Sequence, residues 1–517
     1  MYTRRNVLRA GAAAGAGAGL VLAASAAGAG AVAAGASGAA VADADWRGLG
    51  ARLRGDLVLP ADAGYELAKQ NQFAEFDAVH PTAVAYCASP ADVQACIRFA
   101  REQEISVRTR SGGHNYRGWS TGEGLVVDVS RIRHAVVGTS TIRIGPGLQS
   151  VDALSALAPY GKQIICGTCP TVCPGGFLSG GGIGYQTRKF GMGLDHVRSV
   201  QLVLADGRLV RASASHNPDL YWALRGAGGG NFGVVTEYEV TPIDAPRMVF
   251  FDTTWSWDRA EEVFAAWQTW QLSSPLALGS ALIFMLPDAA PGEVPQIIVT
   301  GGYHGSQADA AAALDRLTSL VGAQPTSRSA TDLPYHEAMR TAYGCGDLTQ
   351  DQCHREGTAP DALLHRVGWL REAYRFFDKP FSPTDLNRIV TAWDADRRPG
   401  QRRFLHCMSV GGAANNVAPA ATAFPHRSAN FIVGFTTQLD QPTHREDEQA
   451  ATAFVESGAA LLNPLGDGAY VNFPGSELPD WATQYYGDNY QRLLSVKRRY
   501  DPHNFFRHPR SIGSTTQ

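Results

Sequence analysis

Apolar and polar positions alternate in two different ways along this chain. From residue 79 to residue 245, short apolar runs such as VHPTAVAYCAS and LVVDVSRI are separated by segments with helical periodicity, the first being PADVQACIRFAREQE. The run SVQLVLADGRLVRAS predicts a hairpin, with Asp206 and Gly207 at its turn. Strands and helices that alternate with glycine-rich turns between them predict an α+β cofactor-binding domain.

The second half of the chain has longer and more aromatic apolar runs. Between about residues 246 and 464 these include MVFFDTTWSW, GSALIFML and NFIVGFTTQLD, separated by amphipathic segments such as RAEEVFAAWQTW and REDEQAATAFVESGAALL. Runs of strands with covering helices predict an antiparallel sheet layered with helices. Beyond this region, residues 465–517 are expected to return to the first domain.

The segment from Gly167 to Gly184, GTCPTVCPGGFLSGGGIG, does not fit an ordinary core element. It holds seven glycines and two prolines, so its backbone is bare and has access to positive φ. Flexible linkers are usually polar and rich in serine, whereas this segment carries Cys169, Val172 and Phe177. The composition predicts a loop whose N–H groups approach a phosphate or a flat ring.

The N-terminus is typical of a targeting signal. Arg4 and Arg5 precede a run of alanine and glycine that extends from residue 10 to about residue 40. The run is too weakly apolar for a stable membrane anchor. Residues 1–42 are therefore predicted to be a twin-arginine signal peptide, and the protein to be secreted after folding around a cofactor.

Charge and cysteine content exclude several classes of function. A formal net charge of −3 gives no basic excess for a nucleic-acid partner. Cys166, Cys169 and Cys173 have no neighbouring histidine or second cysteine pair, so a metal site is not expected. Cys345 and Cys353 lie eight positions apart in a loop-like segment, where a local disulfide is compatible with export.

Four separated motifs resemble one family. RSGGHNY, the segment from Gly167 to Gly184, DLYWALRGAGGGNFGVVT and the C-terminal AYVNF together resemble the FAD-linked oxidases of the vanillyl-alcohol oxidase superfamily, in the berberine-bridge-enzyme-like branch. The resemblance implies an α+β fold with two domains. A PCMH-type FAD-binding domain would span residues 70–245 and a substrate domain, an antiparallel sheet covered by helices, residues 246–464, with residues 465–517 returning to the first.

The resemblance also implies where the flavin binds. His114 stands at the position of the histidyl link to the flavin 8α carbon, and Cys169 at that of the thioether to C6, so FAD would be held by two covalent bonds. Cys173 occupies a position where the family usually has glycine. The remaining residues expected around FAD are Arg110, Ser111, Gly112, Gly113, Asn115, Gly175, Gly176, Gly180, Gly181, Gly182, Gly233 and Val235.

Tyr470 matches the tyrosine that many alcohol-oxidising relatives use as catalytic base. If AYVNF is a strand, Asn472 points to the same face. A phenol has an ordinary pKa near 10, and relatives often supply a second tyrosine where this chain has Ile183. The partner would then be Tyr116, Tyr185 or Tyr303.

On the substrate side, the strand NFIVGFTTQ is expected to turn Phe435 and Thr437 toward the pocket. An apolar, aromatic wall of this kind favours a bulky, partly hydrophobic substrate.

These features leave several functions open. The leading interpretation is a secreted oxidase with bicovalently bound FAD that converts an alcohol of a bulky natural product to a ketone. O₂ takes the electrons and H₂O₂ is released. The alternatives are an oligosaccharide or aldose oxidase, an oxidative cyclase, and a flavin-binding protein without catalysis.

Overall fold

A computed structural model describes residues 44–475 and 477–514 of the protein. The predicted signal peptide at residues 1–42 lies outside these residues. Three β-sheets, with four, five and seven strands, organise the described chain, and helices pack against them. The predicted α+β class is confirmed. Among the helices described here, none is long and apolar enough to cross a membrane.

The first sheet carries the residues of the candidate site that come earliest in the chain. Its strands run in the order β1-β2-β4-β3, with β2, β3 and β4 parallel and β1 antiparallel. The strands are β1 (Asp56–Val58), β2 (Ala83–Tyr86), β3 (Val107–Arg110) and β4 (Leu125–Asp128), and the helices are α1 (Trp46–Gly50), α2 (Tyr65–Ala68) and α3 (Pro90–Glu102).

Helix α3 confirms the amphipathic pattern from which it was predicted. The side chain of Ser89 accepts a hydrogen bond from the N–H of Asp92, and Pro90 stands in the first turn, where its missing N–H has no consequence. The apolar face of α3 packs on the sheet. Strand β3 ends at Arg110 and leads into the Ser-Gly-Gly-His turn.

The second sheet is antiparallel, in the order β5-β6-β9-β7-β8. The predicted hairpin is its β7–β8 pair, and Gly207 at the turn has φ +79°. A short helix forms inside the glycine-rich segment, and positive φ follows it at Gly182. The elements are β5 (Ala135–Val137), β6 (Ile142–Ile144), β7 (Val197–Val203), β8 (Leu209–Ser213), β9 (Val234–Val240), α4 (Ser150–Leu157), α5 (Pro174–Gly180), α6 (Thr187–Phe190) and α7 (Pro218–Ala223).

The third sheet is the predicted antiparallel sheet, with seven strands in the order β13-β10-β12-β11-β15-β16-β14. Four helices form a tryptophan-rich core with one face of the sheet, and residues of the other face pack in the same core as the second sheet. The strands are β10 (Arg247–Trp255), β11 (Leu278–Leu286), β12 (Gln296–Tyr303), β13 (Ser327–Pro334), β14 (Trp369–Phe377), β15 (Arg402–Ser409) and β16 (Phe431–Leu439). The helices are α8 (Ala260–Ser273), α9 (Gln307–Val321), α10 (Tyr335–Ala342), α11 (Pro383–Asp394) and α12 (Arg445–Leu462).

The register of β16 is opposite to the one expected from the sequence. Phe435 packs against Phe454 of α12, with ring centroids 5.6 Å apart, and not into a pocket. Thr437, two residues on, lies on the same helix-covered face. Thr436 instead takes the face directed at the first domain. The prediction for Phe435 and Thr437 is therefore wrong.

The C-terminal residues form helices α13 (Trp481–Tyr486) and α14 (Tyr490–Tyr500), which pack in the same core as the second sheet. The buried ammonium of Lys497 donates to the carbonyl of Asn231 at 2.6 Å and to the carboxylate of Asp501 at 2.7 Å, which ties α14 to the second glycine cluster. Cys345 and Cys353 form a disulfide in the loop after α10.

Candidate active site

A cavity of about 340 Å³ lies where the three sheets and the C-terminal segment meet. This volume is in the usual range of small-molecule sites. The structure brings together residues that are more than 350 positions apart in the chain. The sequence-predicted residues that line the cavity are Arg110, Ser111, Gly112, Gly113, His114, Asn115, Cys169, Gly175, Gly176, Gly233, Val235, Tyr470 and Asn472.

Gly180, Gly181 and Gly182 lie behind the cavity wall, against the C-terminal segment. A Cβ on Gly181 would lie 2.6 Å from the hydroxyl oxygen of Tyr470. The N–H of Gly182 donates to that oxygen at 2.7 Å, from a backbone with φ +94° that favours glycine. Gly181 and Gly182 therefore position Tyr470, and the predicted contact of all three glycines with a cofactor stays a prediction.

The floor of the cavity can accommodate an anionic group. A Cβ on Gly176 would meet no atom within 4 Å, so its backbone is open toward the cavity. Arg110 is ion-paired with Asp128 and donates through Nη2 to the carbonyl of Ala68 at 2.7 Å. Its third nitrogen, Nη1, is buried and has no hydrogen-bond partner among residues 44–475 and 477–514. A buried donor without a partner is costly, and a bound phosphate would relieve that cost.

His114 is held as a neutral imidazole. Its Nε2 lies 2.8 Å from the hydroxyl of Thr171, a residue of the glycine-rich segment. Burial, and then the positive charge of Arg355, lower the pKa of His114 to about 4. A neutral imidazole retains a lone pair for bonding to carbon, and Nε2 is the nitrogen that faces Thr171.

Among the three clustered thiols, Cys169 and Cys173 line the cavity, and Cys169 is the exposed one. The cavity leaves the side chain of Cys169 accessible. The surrounding protein nevertheless desolvates the thiol, which raises its pKa. Cys166 is buried, which raises its pKa to about 12. Cys173 is also buried, and its thiol donates to the carbonyl of Gly147 at 3.4 Å.

The hydroxyl oxygen of Tyr470 receives two hydrogen bonds. Besides Gly182, the side-chain amide of Asn472 donates to it at 3.1 Å. The segment around Tyr470 is a turn and not the expected strand, although the two side chains do meet. Burial raises the pKa of Tyr470 to about 12, while the donors from Gly182 and Asn472 act to lower it. Two donors on one oxygen stabilise a phenolate, which is what a base requires.

Three tyrosines were possible partners for Tyr470, and only Tyr116 lines the cavity. The ring of Phe473 stands between them, 5.1 Å from the ring of Tyr470 and 5.8 Å from that of Tyr116. In the described chain, Tyr185 and Tyr303 are buried away from the cavity lining. The hydrogen bonds to Tyr470 come from Gly182 and Asn472 instead of a tyrosine.

The third sheet contributes a polar cluster that sequence reasoning missed. Tyr374 of β14 and His406 of β15 line the cavity, and the hydroxyl of Tyr374 lies 3.2 Å from Nδ1 of His406. The same hydroxyl lies 3.2 Å from the hydroxyl of Thr436 on β16. Burial lowers the pKa of His406 to about 4 and raises that of Tyr374. The apolar pattern of β14 is interrupted by charged residues, so the sequence carried no clear signal for the position of Tyr374.

A buried acid lies next to this cluster. Glu372 is only 4% exposed, and its Oε1 has no hydrogen-bond partner within the described residues. Desolvation raises its pKa well above the ordinary value, and the pKa of Tyr116 is raised by burial and by the proximity of Glu372. Burial therefore favours the neutral form of this carboxyl group.

The opposite end of the cavity offers a flat surface. Trp119 and His508 stack there, with ring centroids 4.5 Å apart and an angle of 18° between their planes. Burial, and then nearby cations, lower the pKa of His508 to about 3, so it is a neutral ring. Sequence reasoning did not identify either residue as part of the site.

Comparison with protein families gives two matches. Residues 81–213 match a model described as FAD binding domain, and residues 469–513 match a model described as berberine and berberine like. The first match contains His114 and the glycine-rich segment, and the second contains Tyr470. The lining residues from the third sheet, Tyr374, His406 and Met408, lie outside both matched regions.

Comparison with individual proteins extends this similarity over most of the chain. An FAD-linked oxidoreductase of Bacillus subtilis, YgaK, is 30% identical over 468 residues, which cover 89% of this chain and 97% of the relative. Two solved structures share the fold. Physcomitrella patens BBE-like 1 has a TM-score of 0.80 and 23% identity, covering 91% of this chain and 99% of that one. The glucooligosaccharide oxidase of Acremonium strictum, with a 6-S-cysteinyl, 8α-N1-histidyl FAD, has a TM-score of 0.79 and 22% identity, covering 93% and 100%.

Proposed function

This chain belongs to the berberine-bridge-enzyme-like family of FAD-linked oxidoreductases, and from that premise we propose that it oxidises an alcohol of a bulky natural product to a ketone. The observation that carries the proposal is the hydroxyl of Tyr470, which faces the cavity while two N–H groups donate to its oxygen. That arrangement suits a base for an alcohol proton. The two-electron oxidation is the chemistry that FAD supplies when it is bound, with O₂ as final acceptor and H₂O₂ as product.

The cavity fits FAD in its chemistry. Bare backbone at Gly176, together with the unpartnered nitrogen of Arg110, suits the pyrophosphate. The stacked rings of Trp119 and His508 offer a platform for a flat base at the far end. These residues would hold the pyrophosphate and a flat ring of the cofactor.

We further propose that His114 and Cys169 both bond the flavin. Both face the same cavity, and Cys169 is the exposed thiol of its cluster. Because Nε2 of His114 faces Thr171, Nδ1 is the nitrogen left for a bond to carbon. The structural relative from Acremonium strictum carries histidyl and cysteinyl links of this kind.

In this mechanism Tyr470 takes the hydroxyl proton of the substrate. A hydride leaves an alcohol carbon readily only when the O–H electrons can form the carbonyl, so a base within hydrogen-bond reach is required. Gly182 and Asn472 hold the oxygen of Tyr470 in place and stabilise the negative charge that the loss of its own proton leaves. Tyr116 and Phe473 shape an apolar boundary beside it that excludes water.

An oligosaccharide oxidase is the second candidate. The hydrogen-bonding cluster of Tyr374, His406 and Thr436 favours a substrate rich in oxygen. Apolar wall residues such as Met408 and Phe473 favour a larger body attached to it. The two candidates differ in whether a free sugar chain is sufficient for turnover.

A peroxide assay on purified holoenzyme tests the proposal. Polycyclic alcohols, aryl glycosides, free oligosaccharides, amines and phenols are supplied separately, and H₂O₂ is followed with a peroxidase-coupled dye. Peroxide from polycyclic alcohols or aryl glycosides, with little from free oligosaccharides, is the expected result. Peroxide only from oligosaccharides would favour the second candidate. Turnover of amines or phenols alone would show a cyclase, and no peroxide with any of them a binding protein.

Export through the twin-arginine route is also proposed, on the strength of Arg4 and Arg5 ahead of a weakly apolar run. Replacing both by lysine should retain the protein inside the cells. Unchanged secretion would contradict the signal-peptide interpretation.

A further inference from the structure

Gly434 in the middle of β16 creates space for the polar cluster of the third sheet. It is paired with His406 on one side and with Tyr374 on the other, so the three residues form one row across the sheet. A Cβ on Gly434 would overlap the ring of Tyr374. A glycine inside a strand marks a close approach of this kind. Without a side chain at position 434, Tyr374 leans across β16 and reaches Nδ1 of His406.

The hydrogen bonds of the cluster can be ordered by counting donors. Thr436 and Tyr374 have one hydroxyl proton each, and the described residues give Thr436 no side-chain hydrogen bond besides Tyr374. Both protons are used only if Thr436 donates to Tyr374 and Tyr374 donates to Nδ1 of His406. The neutral ring of His406 then carries its proton on Nε2.

We propose that His406 donates this Nε2 proton to an acceptor oxygen of the substrate and thereby selects oxygen-rich alcohols. His406 lines the cavity, and no described residue hydrogen-bonds Nε2. The inference rests on the function proposed above and adds the class of substrate to it. His406 acts here in specificity, while the proton of the reacting hydroxyl goes to Tyr470.

Two polar sites on either side of one aromatic ring define the substrate. The ring of Phe473 is 4.8 Å from that of Tyr374 and 5.1 Å from that of Tyr470. A substrate that reaches both sides needs a carbinol at Tyr470 and a second oxygen at His406. A sugar or similarly oxygenated ring supplies both within a few ångströms.

The residues next to His406 favour a substrate whose oxygenated ring carries an apolar group. Met408 follows on the same face of β15, and Ile283 of β11 is paired with His406 and half-buried. Aliphatic side chains beside a hydrogen-bond donor match an oxygenated ring attached to an apolar body. The substrate class is therefore an aryl or polycyclic glycoside rather than a plain polycyclic alcohol.

A pair of probes isolates the interaction. We would compare 2-naphthyl β-D-glucopyranoside with 4-(2-naphthyloxy)cyclohexanol, which lacks the ring oxygen and neighbouring hydroxyls. Dissociation constants come from changes in the flavin absorption spectrum, and reduction rates from anaerobic bleaching. In the parent, the glycoside should bind about 2- to 12-fold more tightly, as one neutral hydrogen bond is worth about 0.5–1.5 kcal/mol.

His406→Leu should abolish this preference and leave the affinity for the cyclohexanol within about twofold, since only the acceptor oxygens lose a partner. Thr436→Val keeps the shape and removes the first donor, so it should reduce the preference by about two- to threefold. Gln438→Leu, on the same face of β16 but outside the cavity lining, is the matched control and should keep the parental ratio.

Equal losses for both probes in His406→Leu would show a structural role and overturn the inference. A parent that prefers the cyclohexanol, or binds neither probe, would overturn it as well. If both probes bind with the expected ratio but neither bleaches the flavin, the proposed oxidation fails while the role of His406 stands. Should His406→Leu not fold, an unchanged ratio in Thr436→Val would contradict the inference.

Discussion

Removing the side chain of Asn472 tests how Tyr470 becomes a base. Asn472 donates to the oxygen of Tyr470 at 3.1 Å, and this bond is stronger when the oxygen is a phenolate than when it is a phenol. Asn472→Ala leaves Gly182 as the remaining donor. The pKa of Tyr470, about 12 in the structure, should therefore rise further.

The size of the rise follows from the energy of the lost bond. A hydrogen bond to a charged group contributes about 1.5–3 kcal/mol, and one pKa unit corresponds to about 1.4 kcal/mol. The pKa of Tyr470 should then increase by about 1 to 2 units. Since only the deprotonated oxygen accepts the proton, the rate of flavin reduction rises with pH, and the rising limb moves to higher pH in the variant. At a fixed pH below the limb the rate falls by about 10- to 100-fold.

The assay is anaerobic bleaching of the flavin in a rapid-mixing instrument over a series of pH values. It isolates the reductive step from reaction with O₂. Asn387→Ala makes the same chemical change on α11, where Asn387 is exposed and donates to Glu261, and should leave the profile unchanged. An Asn472→Ala limb that coincides with that of the parent would refute the role of Asn472, and with it the account of how Tyr470 is activated.

Three further predictions concern the base and the fold. Tyr470→Phe should slow bleaching by about 10²- to 10⁴-fold with flavin content unchanged; bleaching at the parental rate would show that Tyr470 only packs beside Phe473. Gly458→Ala in α12 would place a Cβ 2.2 Å from Cγ of Phe435. The free energy of unfolding should fall by about 1–3 kcal/mol in urea titrations, and an unchanged value would contradict the register of β16. Replacing Cys345 and Cys353 together by serine should cost about 2–3 kcal/mol of unfolding free energy, because the bridge spans eight positions; equal stability with and without the pair would refute a structural role.

The sequence predicted the first domain better than the third sheet, for a physical reason. Helix α3 has one buried and one polar face, and the β7–β8 hairpin has a clear turn. Their sequence patterns therefore predict the two elements. Strand β14 was missed because charged Glu372 and Arg375 interrupt its apolar pattern, although both are buried. Strand β16 is buried on both faces, and an apolar run of that kind carries no signal for its register.

The residues of the candidate site also differ in how well the sequence predicts them. His114 and Cys169 stand in loops with few side chains, so their chemistry is visible without knowledge of the fold. The contribution of Tyr374, His406 and Thr436 depends on three strands that are neighbours in the sheet but separated in the chain. Gly434 permits their contact, and only the structure shows which ring it accommodates. The turn at Tyr470 gave the expected contact with Asn472 from a different backbone conformation.

The central claim, an oxidase with FAD held at two points of one cavity, is tested most directly by peptide mass mapping of the purified protein. After acid precipitation the pellet should stay yellow, and digestion should give one flavin-bearing species that joins the peptide containing His114 to the peptide containing Cys169. In Cys169→Ala the flavin should remain on the His114 peptide alone, and in the double variant His114→Ala, Cys169→Ala it should be released. Flavin in the supernatant of the parent, or bonded to Cys166 or Cys173, would contradict the account.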